Sequence, residues 1–214
     1  MANGTKSRII IDGIKEIINV AAANASTSIS ELLDKTVLIS VPDLKQVNIY
    51  EFYASLSDYL ERDIYAGIVK FKESISGYLV LFFDEESFKY LSKTALTKYL
   101  GENTFEEPIA LDVFKEIVNI FASSYTTALY NFIGVYATHT PPEITHDFLG
   151  SVVNTILSVM TPQLYNENIL LVKVDFRMYG NNNENPQKFD AWMVHFMTDS
   201  DVNLLCSAIE SSIQ

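Results

Sequence analysis

The chain offers little of what would staple or anchor a fold from outside its own core. It has a single cysteine, Cys206, which excludes an intramolecular disulfide framework and a cysteine-rich metal site. Flanking Leu204, Leu205 and Ala208 predict a buried, unreactive thiol. Basic residues are scarce, 15 Lys and Arg against 27 Asp and Glu, for a formal net charge of -12. That balance repels phosphate backbones and anionic lipid surfaces, so neither nucleic acid nor membrane is expected as a partner. Long hydrophobic runs are missing too: the apolar stretch from Ile9 to Ala23 is broken by Asp12, Lys15 and Glu16. Met1 to Arg8 is followed by no signal-peptide apolar core or cleavage site. With no disulfides to form, a cytoplasmic location is expected. What is present is ample core material, 48% hydrophobic and 20% charged residues over 214 positions, enough for one large domain or two closely packed halves.

The chain aligns with itself at an offset of one hundred residues. Asp12, Lys15, Glu16, Asn19 and Pro42 recur as Asp112, Lys115, Glu116, Asn119 and Pro142. With residue types at roughly 5% each, a fixed Glu, Asn and Pro recur at a given start only about once in 10⁴ tries. Two matching instances mark a duplication. Each copy is expected to be a helix–strand–helix–strand–strand–helix unit, about 9–100 and 108–214, with a linker near 100–107. The fold class is α+β: two such repeats related by a pseudo-two-fold axis, pooling their strands into one sheet covered by helices.

Apolar spacing predicts long helices over Ile9–Leu33 and Pro108–Phe132, with Pro108 in a first-turn position. Short strands follow at Val37–Val41 and Gly134–Thr138, ended or turned by Pro42 and Pro142. Further helices are expected near Ile49–Leu60 and Phe148–Met160. Strand pairs rich in β-branched and aromatic residues come next, Ile64–Phe71 with Gly77–Phe83 and Ile169–Phe176 with Ala191–Met197. The last helix of each copy runs from Asp84 to Leu100, closed by Gly101, and from Asp199 to Ile213. The loop from Gly180 to Pro186 carries no functional signature.

At 100° per residue, Asp12, Glu16, Asn19, Ala23 and Ser26 share a stripe about 80° wide, matched by Asp112, Glu116, Asn119, Ser123 and Thr126. A plain solvated face would accept many polar residues at these positions, yet both copies carry Glu and Asn at the same places. Glu and Asn make a poor self-contained catalyst, since Asn cannot act as a base at neutral pH and no nucleophile–base pair accompanies it. Asn can both donate and accept hydrogen bonds, and so orient a water; Glu can pair with a partner's cation. The set suits a protein that completes another protein's active site. Asp12 and Asp112 can also be read as helix-capping or first-turn acids, and Pro42 and Pro142 as structural. His139, Glu143 and His146 have a metal-like spacing but flank the proline instead of sharing a helical face.

The spacing Asp, three residues, Glu, two residues, Asn, twenty-two residues, Pro resembles the signature of the CheC, CheX and FliY chemotaxis phosphatases. Two copies in a chain of this length look most like CheC, since CheX is shorter and FliY carries flagellar-switch extensions. The resemblance implies hydrolysis of the aspartyl-phosphate on the response regulator CheY, with Glu16 and Glu116 binding a CheY lysine and Asn19 and Asn119 orienting the attacking water. It implies no cofactor of the chain's own, Mg²⁺ on the CheY side, and CheD as a further partner. After Asn, the family's small glycine-containing run is replaced by Val20–Ala23 and Ile120–Ser123, and Phe121 would obstruct the second site if it faced the partner. The competing readings are a non-catalytic adaptor for CheY or CheD and a structural component of the flagellar switch.

Overall fold

The computed structural model describes residues 2–100, 106–159, 168–179 and 186–212. In chain order the first copy forms α1 (Ala2–Leu33), β1 (Thr36–Val47), α2 (Ile49–Ser55), β2 (Asp63–Glu73), β3 (Tyr78–Asp84) and α3 (Glu85–Leu100). The second forms α4 (Glu107–Ile133), β4 (Ala137–His139), β5 (Glu143–Phe148), α5 (Leu149–Val159), β6 (Asn168–Tyr179), β7 (Gln187–Met197) and α6 (Asp199–Ser212). Gly101, the centre of the expected linker and most of the Gly180–Pro186 loop lie outside the described residues.

The strands pool into one seven-stranded sheet in the order β1-β6-β7-β3-β2-β4, with β5 also pairing with β2. Every pairing is antiparallel. The centre of the sheet is the β3–β7 pair, where Leu81 faces Met193. Outward from there, Leu81 pairs with Gly67 and Met193 with Val172, so the two halves match about this point. The edges match as well. Before the prolines Ile39 faces Phe176 and its counterpart His139 faces Phe71; beyond them Asp43 faces Lys173 and its counterpart Glu143 faces Ile68. Both edge strands therefore make the same slip in register at their proline.

That slip corrects the expected role of Pro42. Pro42 does not end its strand, whereas in the second copy the strand does break at the proline. β1 runs straight through Pro42 with an irregularity between Ser40 and Asp43, and β4 and β5 bracket Pro142 along the same edge of β2. Proline has no N–H to give a ladder, and an edge strand at a bulge is where a sheet tolerates it. β5 itself was not expected: Glu143–Phe148 has no buried residue and so no apolar alternation to reveal it.

Side chains alternate across the sheet. Leu79, Leu81 and Phe83 of β3 join the core under α1, α3, α4 and α6, whereas Val80 and Phe82 join a second core under α2 and α5. α1 forms because Ile14, Ile17, Ile18, Ala21, Ala22, Ala25, Ile29 and Leu33 recur at helical spacing, and all are buried. It stops at Asp34, whose φ of 53° is left-handed. α4 starts with proline in its first turn and stops at Gly134, φ 68°, whose N–H bonds Tyr130 O at 2.9 Å. α1 extends further towards the N-terminus than its apolar pattern indicates, because Ala2 to Arg8 carry no periodic signal. α2 is shorter than expected, giving way after Ser55 to turns in which Tyr59 N–H bonds Leu56 O at 2.8 Å. Cys206 is half-buried, not buried: α6 turns Asp201, Leu205 and Ile209 inward, and Cys206 falls beside that stripe.

Two features tie the halves together. Asp201, buried at the start of α6, accepts from Thr198 N–H at 2.8 Å and from Ser76 N–H at 2.9 Å, joining the β2–β3 turn of one copy to the last helix of the other. Gly67 lets α4 lie close on β2: a Cβ there would sit 2.2 Å from Val118 Cγ2. Gly67→Ala is therefore expected to cost about 1–3 kcal/mol through overpacking, with Val118→Ala in the same chain recovering part of it. Urea unfolding of wild type and the two variants checks this.

His195 lies in β7 with Nδ1 3.3 Å from Tyr125 Oη, fully buried. Burial pushes its pKa down to about 4, against a smaller opposing pull from Asp201. Unfolding at acid pH thus gains a proton at this residue. Stability is undiminished above about pH 6.5 and falls as pH drops towards 4, by on the order of 3 kcal/mol in all. His195→Phe is expected to flatten this part of the stability–pH curve, measured by denaturation at intervals from pH 7 to 4.

Candidate functional site

The two motif helices pack against each other on the core they share with one face of the sheet. Their apolar faces fix which residues remain outside. With Ile14, Ile17, Ile18 and Ala21 turned into the core, Asp12, Glu16 and Ala23 are exposed and Asn19 is half-buried. With Val113, Phe114, Ile117, Val118 and Phe121 inward, Asp112, Glu116 and Ser123 are exposed and Asn119 is half-buried. Phe121 is fully buried and does not obstruct the second stripe. Among the described residues neither carboxamide is held by a side-chain hydrogen bond, so each retains its donors and acceptor.

The stripes are shorter than their periodicity suggests. Ser26 and Thr126 are buried: Ser26 Oγ donates to Val37 O beneath β1, and Thr126 Oγ1 donates to Ser123 O. Nor are Asp12 and Asp112 caps or first-turn acids, because α1 and α4 begin well before them. They lie mid-helix, one turn before the Glu of each copy, and extend the exposed acidic line.

Each motif helix is also tied to its proline-bearing edge, by different contacts. In the first copy Lys15 Nζ donates to Pro42 O at 3.3 Å, and Ser30 Oγ bonds both Ser26 O at 2.6 Å and Val37 O at 3.2 Å. Pro42 is exposed there, whereas Pro142 is buried. In the second copy Ser123 Oγ lies 3.0 Å from His139 Nε2, and His139 Nδ1 lies 2.8 Å from Thr140 O. No spacing rule signals the Ser123–His139 pair, which is made across the α4–β4 connection. His146, by contrast, stacks on Tyr65 with ring centres 4.1 Å apart. The structure thus separates the two histidines of the metal-like spacing, and no group of three or more His, Cys, Asp or Glu among the described residues could hold a metal ion.

Three concavities formed by described residues are lined by none of Glu16, Asn19, Glu116 and Asn119. A concavity at the C-terminal end of α1, lined by Ser26, Ser30, Asp34, Lys35 and Leu38 among others, includes neither Glu16 nor Asn19. Small ligands favour enclosed, largely apolar pockets. A ridge of carboxylate, carboxamide and small residue on a rigid helix is better suited to a macromolecule.

Comparison with known proteins agrees with this architecture. A family model described as chemotaxis phosphatase CheX matches residues 65–156, and one described as CheC-like matches residues 9–45. Among solved structures, FliY from Thermotoga maritima is similar at 21% identity and a TM-score of 0.69, covering 95% of this chain and 96% of that one. The FliM middle domain from H. pylori is similar at 14% identity and a TM-score of 0.59, over 93% and 97%. FliM in a FliG–FliM complex from H. pylori gives 14% and 0.60, over 91% and 97%. The structural likenesses establish the shared fold, and the two family models, each matching part of the chain, make it similar to the CheC, CheX and FliY chemotaxis proteins. No helix among the described residues is long and apolar enough to cross a membrane.

Because Glu16 and Glu116 are exposed, they contribute little to folding. Glu16→Gln and Glu116→Gln, singly or together, are expected to change unfolding free energy by no more than about 0.5 kcal/mol per site. Chemical denaturation checks this and separates later binding effects from misfolding.

Proposed function

We propose that this protein stimulates hydrolysis of the aspartyl-phosphate of a CheY-type response regulator, acting in the cytoplasm at two sites, Glu16 with Asn19 and Glu116 with Asn119. The observation that carries the reading is the pair of accessible Glu–Asn stripes, one per copy, on helices whose opposite faces are locked in the core. In each site the carboxylate pairs with a lysine of the regulator, an ion pair strengthened as docking excludes water. The carboxamide, one turn along the helix, accepts from the water and donates to the acyl-phosphate side. That holds the water in line with the phosphorus, as a positioned glutamine does in GTP hydrolysis. The Mg²⁺ that neutralises the phosphoryl oxygens belongs to the regulator. The half-burial of Asn19 and Asn119 supports the role, since a restricted side chain loses less entropy on holding a water. The net charge of -12 favours a lysine-bearing docking face.

Since each stripe has its own Glu and Asn, the sites should work in parallel. Asn19→Ala or Asn119→Ala should leave the activity of the surviving site. The double variant should lower stimulated hydrolysis by on the order of 10², with a smaller loss of binding because both Glu contacts remain. Phosphate release from the phosphorylated regulator measures the rate, and titration with the regulator carrying Mg²⁺ and beryllofluoride measures binding. A double variant as fast as wild type would refute the mechanism. Binding by wild type without any stimulation would favour an adaptor for the regulator or for CheD.

A further inference from the structure

The two Glu–Asn stripes match, but what stands one turn beyond each Asn does not. In the first copy the place is held by Ala23, and its strand neighbour Ile39 is a core residue. In the second, exposed Ser123 follows Asn119 on the stripe, and half-buried His139 reaches it from β4.

The direction of this hydrogen bond follows from its neighbour. Thr140 O can only accept, so His139 Nδ1, 2.8 Å away, carries a proton and donates it. In neutral imidazole the other nitrogen is then bare. Nε2 accepts from the Ser123 hydroxyl at 3.0 Å. With its only proton committed inward, Ser123 Oγ turns its lone pairs to the exposed side of α4. A free serine could rotate to donate or accept; this one is fixed as an acceptor.

We propose that Ser123, set by His139, is a specificity-determining contact of the second site, accepting a hydrogen bond from an N–H group of the docked regulator beside the Asn119 carboxamide. The proposal rests on the reading of the Glu–Asn stripes as docking sites for a phosphorylated receiver protein. It makes the two sites inequivalent: the second recognises one more donor on its partner than the first. Ser123 is the contact, and His139 is a positioning residue that acts through it.

The experiment isolates each site. Asn19→Ala leaves only the second site intact, and Asn119→Ala only the first. In the Asn19→Ala background, Ser123→Ala is expected to raise KM for the phosphorylated regulator about 2- to 10-fold, the loss of one hydrogen bond, with kcat nearly unchanged. In the Asn119→Ala background the same change should be far smaller. His139→Ala should reproduce the Ser123→Ala loss, and His139→Gln, which keeps an acceptor near Nε2, should recover most of it. Equal effects in both backgrounds, or none in either, would overturn the proposal; His139→Gln as impaired as His139→Ala would overturn the positioning role.

Two further readouts do not depend on hydrolysis. ¹⁵N shifts of His139 in the free protein should report the Nδ1–H form; finding the Nε2–H form at neutral pH overturns the hydrogen-bond assignment whatever the activity. Affinity for a CheY-type receiver loaded with Mg²⁺ and beryllofluoride should fall by the same factor on Ser123→Ala when docking at the first site is removed by Glu16→Ala with Asn19→Ala, and far less when Glu116→Ala with Asn119→Ala removes docking at the second. If wild type stimulates no hydrolysis, the phosphatase reading fails, and these two measurements still decide this one.

Discussion

The packing of α1 against α4 on the core they share with Leu81 and Met193 is the constraint on which the rest of the molecule depends. Each helix offers an almost continuous apolar stripe, and neither copy alone could cover it. Joined across the pseudo-two-fold, the helices bury Ile14, Ile17, Ile18 and Ala21 on one side and Phe114, Ile117, Val118 and Phe121 on the other. A helix fixed by that many interlocked side chains cannot rotate without exposing core residues. The polar line opposite is therefore presented at a fixed angle. The rigidity of this line comes from the core beneath it.

The same logic explains the edges. A sheet with a matched slip at each outer strand keeps Pro42 and Pro142 at corresponding places beside the motif helices. Proline blunts these edges, since it cannot template a further strand. The two prolines have since diverged in setting, one exposed and one buried. Lys15 bonds the carbonyl of Pro42, whereas Ser123 and His139 make the helix–edge tie of the second copy. Duplication preserved the Glu–Asn geometry and let its surroundings drift.

Much of this was legible in the residues alone, for a physical reason. Periodicity exposes an element when one face is buried, so α1, α4 and the central strands β2, β3, β6 and β7 could be read directly. The offset of one hundred, held by Glu, Asn and Pro, exposed the duplication and the shared sheet. β5 was hidden because an edge strand with no buried side chain has no pattern to show. Pro42 misled because a bulge and a strand end look the same one residue at a time. On the stripes, Ser26 and Thr126 sit at the right angle but bond carbonyls in the interior, which spacing cannot distinguish from facing solvent. Ser123 and His139 were visible only as a small residue and a spare histidine; their contact exists only once β4 has folded back along α4.

The central claim is that the carboxamides of Asn19 and Asn119 meet the activated regulator. Their side-chain NH₂ resonances, assigned by comparison with the Asn19→Ala and Asn119→Ala variants, can be followed in ¹H–¹⁵N spectra during titration with a CheY-type receiver carrying Mg²⁺ and beryllofluoride. The account predicts that both pairs of signals shift or broaden with the activated receiver and respond less to the unactivated one. Binding that leaves both carboxamides unmoved, while signals on the α2–α5 side of the sheet change, would contradict it.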